Sequence, residues 1–400
     1  MPPLDEAYRA PDRFPASNQS LPLALVAIGG IGEPHARDAR MRAELGRRLE
    51  GAPGAPVLVL GDAFLDAGLL GFCPDAAPAR ASELGCDSPE PSDAQFDAIL
   101  APYARSFAGH PVVVVPGSAD HAGDPAATAN ACARIPKAAP GWRDVACEDS
   151  PAARLDAGAL ALVLVDSARM LDDEAYRERA LAALHGELAS LRQERPGAWL
   201  VLATYHPLES YGARNGADLQ TALHKDLYPL LGTVLWPIAA PVGWLVGRRA
   251  ENPYEWGMRG LRRDLYRALA ETPVDAVLSG QDESLQLVEL DHPGARWQIV
   301  SGAGARKSHV KHGGLDLWFA NGAARALGLR DSLPAVRHSL VFGAGRGDDT
   351  TRAGFGFVAL YASPTALRVE FWDLARREPL GVAELSRAGD APQGGEGEHE

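Results

Sequence analysis

The sequence predicts an α/β fold, a mixed sheet layered with helices, and three observations predict it. Short continuous apolar runs recur along the chain, as in strands buried on both faces. A clear amphipathic helix lies between two of them. From Leu285 onward the pattern changes to short strands separated by turns. Strands alternating with helices and then a β-rich half suit this layered class.

In order, residues up to about Asn18 are polar and proline-bearing, an irregular arm. Leu21 to Ile31 is a β-rich apolar run broken by glycines, and Ala36 to Leu49 is charged and helix-compatible. Val57–Leu60, Val112–Val115, Ala159–Val165 and Trp199–Ala203 are the buried-strand runs. Between the last two, Asp173 to Glu194 places Leu181, Leu184, Leu188 and Leu191 on one stripe, and Pro196-Gly197 stops the helix. A further helix is expected over Tyr254–Glu271 and a strand over Val274–Leu278. Short strands follow at Leu285–Leu290, Trp297–Val300, Ser339–Phe342, Phe355–Tyr361 and Leu367–Phe371. The expected organisation is an arm (1–20), one domain (21–386) and a disordered acidic tail (387–400).

The 400 residues are 46% hydrophobic and 23% charged, which argues against disorder or a coiled coil. A net charge of −13 repels phosphate backbones, so no nucleic-acid partner is expected. Four cysteines without a CxxC pair exclude a zinc knuckle. Cys73 with Cys86, and Cys132 with Cys147, would close two short loops in an exported protein; buried free thiols are the expectation. The first twenty residues lack a basic segment followed by an apolar run, so a cytoplasmic location is expected. Residues 229–247, inside an expected insertion at about 226–250, carry no charge and are followed by Arg248-Arg249. Pro237 and Pro241 break any single spanning helix there. The two readings are a membrane-interface excursion with Trp236 and Trp244 at headgroup depth, or a hairpin packed over the domain or in a homodimer contact.

Chemistry in such folds sits in the loops after buried strands. After the first run comes Gly29-Gly30-Ile31-Gly32-Glu33-Pro34, a poor dinucleotide loop because His35 replaces the third glycine. The later loops read Gly61-Asp62-Ala63, Gly117-Ser118-Ala119-Asp120-His121, Tyr205-His206-Pro207, Gly280-Gln281-Asp282-Glu283-Ser284-Leu285-Gln286 and Ser301-Gly302-Ala303-Gly304. In order and context these loops resemble those of the calcineurin-like metallophosphoesterases, in the branch related to purple acid phosphatases. The resemblance covers about Leu23 to Trp372 and implies two stacked mixed β-sheets flanked by helices. In that family two metal ions about 3.5–4 Å apart lower the pKa of a bound water and hydrolyse phosphoesters.

The resemblance also implies where ligands should stand, and this chain departs at nearly all of them. The first aspartate falls on Gly30, the asparagine ligand on Ser118, the catalytic histidine on Ala119 and one histidine ligand on Tyr205. Two further histidines become Gln281 and Glu283, and Asp62 is the only ligand retained unchanged. The expectation is a catalytically degenerate binding or scaffold protein that needs no cofactor. The alternative is an active phosphoesterase with a remodelled site holding one divalent ion (Mn, Fe or Zn) through Asp62, Gln281 and Glu283. Asp62, Asp120, His121, His206, Gln281, Asp282 and Glu283 form the expected remnant pocket. Asp120-His121 is an acid–base candidate, with a packing role expected for His121. His309 and His312 sit beside Lys307 and Lys311 and are expected on a solvated loop, while Asp166-Ser167 is expected to be structural.

Overall fold

The computed structural model describes residues 20–31, 36–61, 93–121, 132, 135, 139, 141–210, 256–282, 284–304, 336–342, 355–373, 378–385 and 387. The first half runs β1 (Leu23–Ile28), α1 (Ala36–Glu50), β2 (Val57–Leu60), α2 (Asp93–Ser106) and β3 (Val112–Val115). A single helical turn, α3 (Ser118–His121), and β4 (Trp142–Asp144) complete it. Then come β5 (Ala152–Ala157), β6 (Leu160–Val165), α4 (Ser167–Asp172), α5 (Glu174–Glu194) and β7 (Trp199–Thr204). The second half continues with α6 (Trp256–Glu271), β8 (Val274–Ser279), β9 (Leu285–His292), β10 (Ala295–Ser301) and β11 (Val336–Phe342). It ends with β12 (Gly356–Ala362), β13 (Leu367–Asp373) and β14 (Gly381–Leu385).

Two seven-stranded mixed sheets result, in the orders β14-β13-β12-β1-β2-β3-β4 and β11-β9-β10-β8-β7-β6-β5. In the first, β1 to β4 are parallel and β12 joins β1 antiparallel. In the second, β6, β7, β8 and β10 are parallel. Because side chains alternate along a strand, each central strand feeds two cores. Leu25, Leu58, Leu60, Leu162, Leu164 and Leu278 meet between the sheets. Val26, Ile28, Val57 and Val59 face α1 and α2, whereas Val163, Leu200 and Val277 face α5 and α6. The order is therefore helix, sheet, sheet, helix, and both faces of every central strand are covered. That is why those strands read as unbroken apolar runs.

α5 has the expected bounds. Asp173 caps it by accepting the Tyr176 N–H at 2.9 Å, and Leu184, Leu188 and Leu191 are buried while Leu181 packs at their margin. α2, β4, β5, α4 and β14 were not expected from the sequence. α2 carries Pro102 inside it, which reads as a break. β5 and β14 are edge strands, AARLDA and GVAEL, whose few apolar residues carry no run.

The expectation of free thiols is corrected at one pair. Cys132 and Cys147 form a disulfide, with Cα atoms 5.4 Å apart. The pairing is local, closing the excursion between β3 and the turn after β4. Cys73 and Cys86 lie outside the described residues, as do the arm before residue 20, Asp62, Glu283, residues 229–247, His309, His312 and the tail after 387. Among the described residues no helix is long and apolar enough to cross a membrane.

Candidate functional site

The parallel strands of both sheets end at one side of the molecule, and their exit loops meet there. Gly304 N–H donates to Gly29 O at 2.9 Å and Ser301 Oγ to Ala27 O at 2.7 Å, stitching the two sheets together, while Gly30 N–H donates to Gly61 O at 3.0 Å and ties the β1 and β2 exits within the first sheet. Approach is so close that a Cβ on Gly280 would overlap the Leu60 carbonyl of the facing sheet. Only glycine lets the β8 loop lie against β2 in this way.

Tyr205 fills the centre of this meeting point. Its side chain is 0% exposed, and its ring lies against Gly61, where a Cβ would overlap the ring and approach the Gly117 Cα at 3.0 Å. Gly61 also holds φ at +75°, so glycine is required there for backbone and packing reasons alike. The Tyr205 hydroxyl lies 3.2 Å from Ser118 Oγ. Two positions that the resemblance assigns to metal ligands, Ser118 and Tyr205, therefore hydrogen-bond to each other. Gly30 is in the same loop set, bonded to Gly61, with φ +65°.

The other residues of the expected pocket separate into two groups. Gln281 is buried and holds φ at +53°, a left-handed conformation that costs a side-chain-bearing residue roughly 1–3 kcal/mol. Asp282 accepts a hydrogen bond from Ser210, whose oxygen accepts from Gln286 Nε2 at 2.9 Å. These bonds tie the β8 and β7 exits together. Asp120 accepts the Gly117 N–H at 2.7 Å and so shapes the turn that presents Ser118.

His121 and His206 belong to a different neighbourhood, one the sequence reading did not foresee. His121 Nε2 donates to Asp166 Oδ2 at 2.7 Å, while Asp166 Oδ1 accepts the Arg169 N–H at 2.9 Å and caps α4. His121 is thus a polar partner of Asp166, beyond the packing role expected for it. Asp166 is 0% exposed. Nearby, Asp144 caps the turn 145–147 by accepting the Ala146 N–H at 2.9 Å; burial raises its carboxyl to about 7, and the charge of Asp166 adds to the rise. Burial alone would lower His121, but Asp166, Asp120 and Asp144 outweigh it and raise its pKa. Ser167 Oγ accepts the His206 main-chain N–H at 3.0 Å and shares a hydrogen bond with His206 Nδ1 at 3.1 Å. Burial pushes His206 down to about 3, so it stays neutral. Asp144 could not be read from sequence, because Trp-Arg-Asp carries no pattern and its neighbours come from distant strands.

The two stacked mixed sheets with flanking helices are the fold of the calcineurin-like phosphoesterases. No family model and no curated protein matches the chain. Among solved structures, GAP50, the anchor in the inner membrane complex of Plasmodium, is similar with a TM-score of 0.52 and 12% identity, over 92% of this chain and 90% of that one. Purple acid phosphatase PPD1 from yellow lupin (Lupinus luteus) seeds is similar with a TM-score of 0.51 and 14% identity, over 94% of this chain. The match covers 55% of the phosphatase, so the chain spans about half its length. Identities this low establish shared fold alone.

Proposed function

We propose that this chain is a catalytically degenerate metallophosphoesterase-fold protein that acts by binding, as a scaffold or anchor. The observation that carries the reading is Tyr205, buried with its ring against Gly61 and its hydroxyl on Ser118. An aromatic ring stands where the family's chemistry needs an imidazole, and it is bonded to a second residue at a ligand position. Gly30 offers no side chain, Ser118 is engaged, and Gln281 offers a neutral amide. Two adjacent dications need bridging and terminal anionic oxygens and several imidazoles. The donors at these positions do not fit that pair, and no hydrolytic step is derived through it. Losing even one outer partner of a metal ligand typically costs about 10–100-fold in affinity or activity.

An aryl-phosphate assay in Mn²⁺, Fe²⁺ and Zn²⁺ tests the reading. The expected result is turnover indistinguishable between wild type and Asp62→Ala. Metal-dependent turnover abolished by Asp62→Ala would instead establish the remodelled single-metal phosphoesterase.

GAP50, of the same fold and comparable coverage, is an anchor in a membrane complex. Together with the charge-free segment 229–247, that favours a membrane surface as the partner of the present chain. Co-sedimentation with anionic liposomes is expected for wild type and lost on deleting residues 231–246; equal pelleting of both removes the membrane from the proposal. The Cys132–Cys147 bridge supports residence in an oxidising compartment, where disulfides persist.

A further inference from the structure

The insertion at 211–255 leaves and rejoins the described chain at the strand-exit end. Its entry foot follows β7, which runs parallel to β8 and ends on the same side. Ser210 Oγ donates to Asp282 of the β8 exit and accepts from Gln286 Nε2, near the start of β9, at 2.9 Å. Glu209 turns inward and is 2% exposed. Arg262 pairs with it at 2.8 Å, and the Tyr266 hydroxyl donates to it at 3.0 Å. Both partners belong to α6, the helix that opens where the insertion ends. At its other end α6 lies on the far β9–β10 turn, so close that a Cβ on Gly294 would overlap the Leu269 main chain. Trp256 therefore stands at the exit end too. A buried ion pair holds its geometry, because neither charge can leave without stranding the other in an apolar seam. Both feet are tied to one end of the sandwich.

Chain length then decides where the charge-free segment 229–247 can lie. Gly247 stands nine residues before Trp256, a reach of at most about 30 Å. α6 has 16 residues, so it covers about 24 Å on its way to the far pole. A return leg stretched to its limit would bring only the last residues of the segment past that pole. Every relaxed path keeps the segment beside the exit loops.

The exit loops also withdraw their charge. Asp120, Asp166, Glu209 and Asp282 are all buried, so the centre of this face offers an anionic surface little repulsion. The exposed acids Asp149, Asp172 and Glu174, with half-buried Glu148, lie on its fringe, around the β4 edge and the start of α5. Arg248-Arg249 directly follow the segment, where each can add to attraction by anionic lipid. We propose that the chain meets an anionic bilayer with its strand-exit face, an orientation that rests on the membrane partner inferred above and adds the face it meets. The loops around Ser118 and Tyr205 then lie against the headgroups.

Hydrogen exchange of the full chain, with and without vesicles of equimolar phosphatidylserine and phosphatidylcholine, tests the orientation. With lipid set tenfold above half-saturation in co-sedimentation, loops shielded by docking should open about tenfold less often. Slower exchange is expected at 117–121 and 208–210, and none at the far-pole turns 51–54, 157–159 and 193–197. Docking through the far pole, where α2 and α5 end on Arg105 and Arg192, is the competing outcome. Pelleting with slower exchange at the far-pole turns, at both ends alike or at neither end overturns the orientation and leaves the membrane partner standing. A wild type that stays in the supernatant removes the membrane, and the orientation with it.

Discussion

Tyr205→Ala is expected to destabilise the protein by about 3–5 kcal/mol, among the largest effects of any single truncation here. The ring is fully buried against Gly61, which has no side chain that could move into the space left behind. The cavity would open where the two sheets' exit loops meet, so the lost contacts belong to both sheets at once. Tyr205→Phe separates packing from polarity: it keeps the ring and removes the 3.2 Å contact with Ser118, a change of about 1 kcal/mol. Denaturant midpoints at constant slope measure both variants. If Tyr205→Ala costs no more than Tyr205→Phe, the ring does not hold the loops together.

Replacing both Cys132 and Cys147 by serine is expected to cost about 3 kcal/mol, the closure entropy of a loop of this length. The bridge spans 15 residues and anchors the turn 145–147 that Asp144 caps. Its loss frees the excursion after α3 in the unfolded chain and slackens the turn in the folded one. Urea unfolding of the double serine variant gives the number directly. A loss under about 0.5 kcal/mol would mean that the packing of β4 suffices to hold the turn.

The central strands were legible because burial on both faces leaves a one-dimensional trace: Val112 to Val115 is four valines, and Leu160 to Val165 has no polar residue. α5 was legible for the complementary reason, one buried stripe with a cap at Asp173 and a proline just beyond. Edge strands leave no such trace. Pairing on one side only, β5 mixes Arg154 and Asp156 into its register with β6, and its assignment depends on a partner the local sequence does not name. The site divides in the same manner. Gly61, Gly117, Tyr205 and Gln281 could be placed by loop order, since each directly follows a readable strand. The pairing of Tyr205 with Ser118 could not, because it joins residues 87 apart on different sheets. The His121–Asp166–Asp144 cluster was hidden for the same reason, and the disulfide could only be left as one of two fates for its cysteines.

The account rests on donors at the strand-exit loops that do not fit a binuclear centre. The most direct measurement is the metal content of purified protein after saturation with Mn²⁺, Fe²⁺ or Zn²⁺ and exhaustive dialysis. The account predicts no stoichiometric metal in wild type, and the same trace level in Asp62→Ala. Two tightly held ions per chain, lost together in Asp62→Ala, would contradict it.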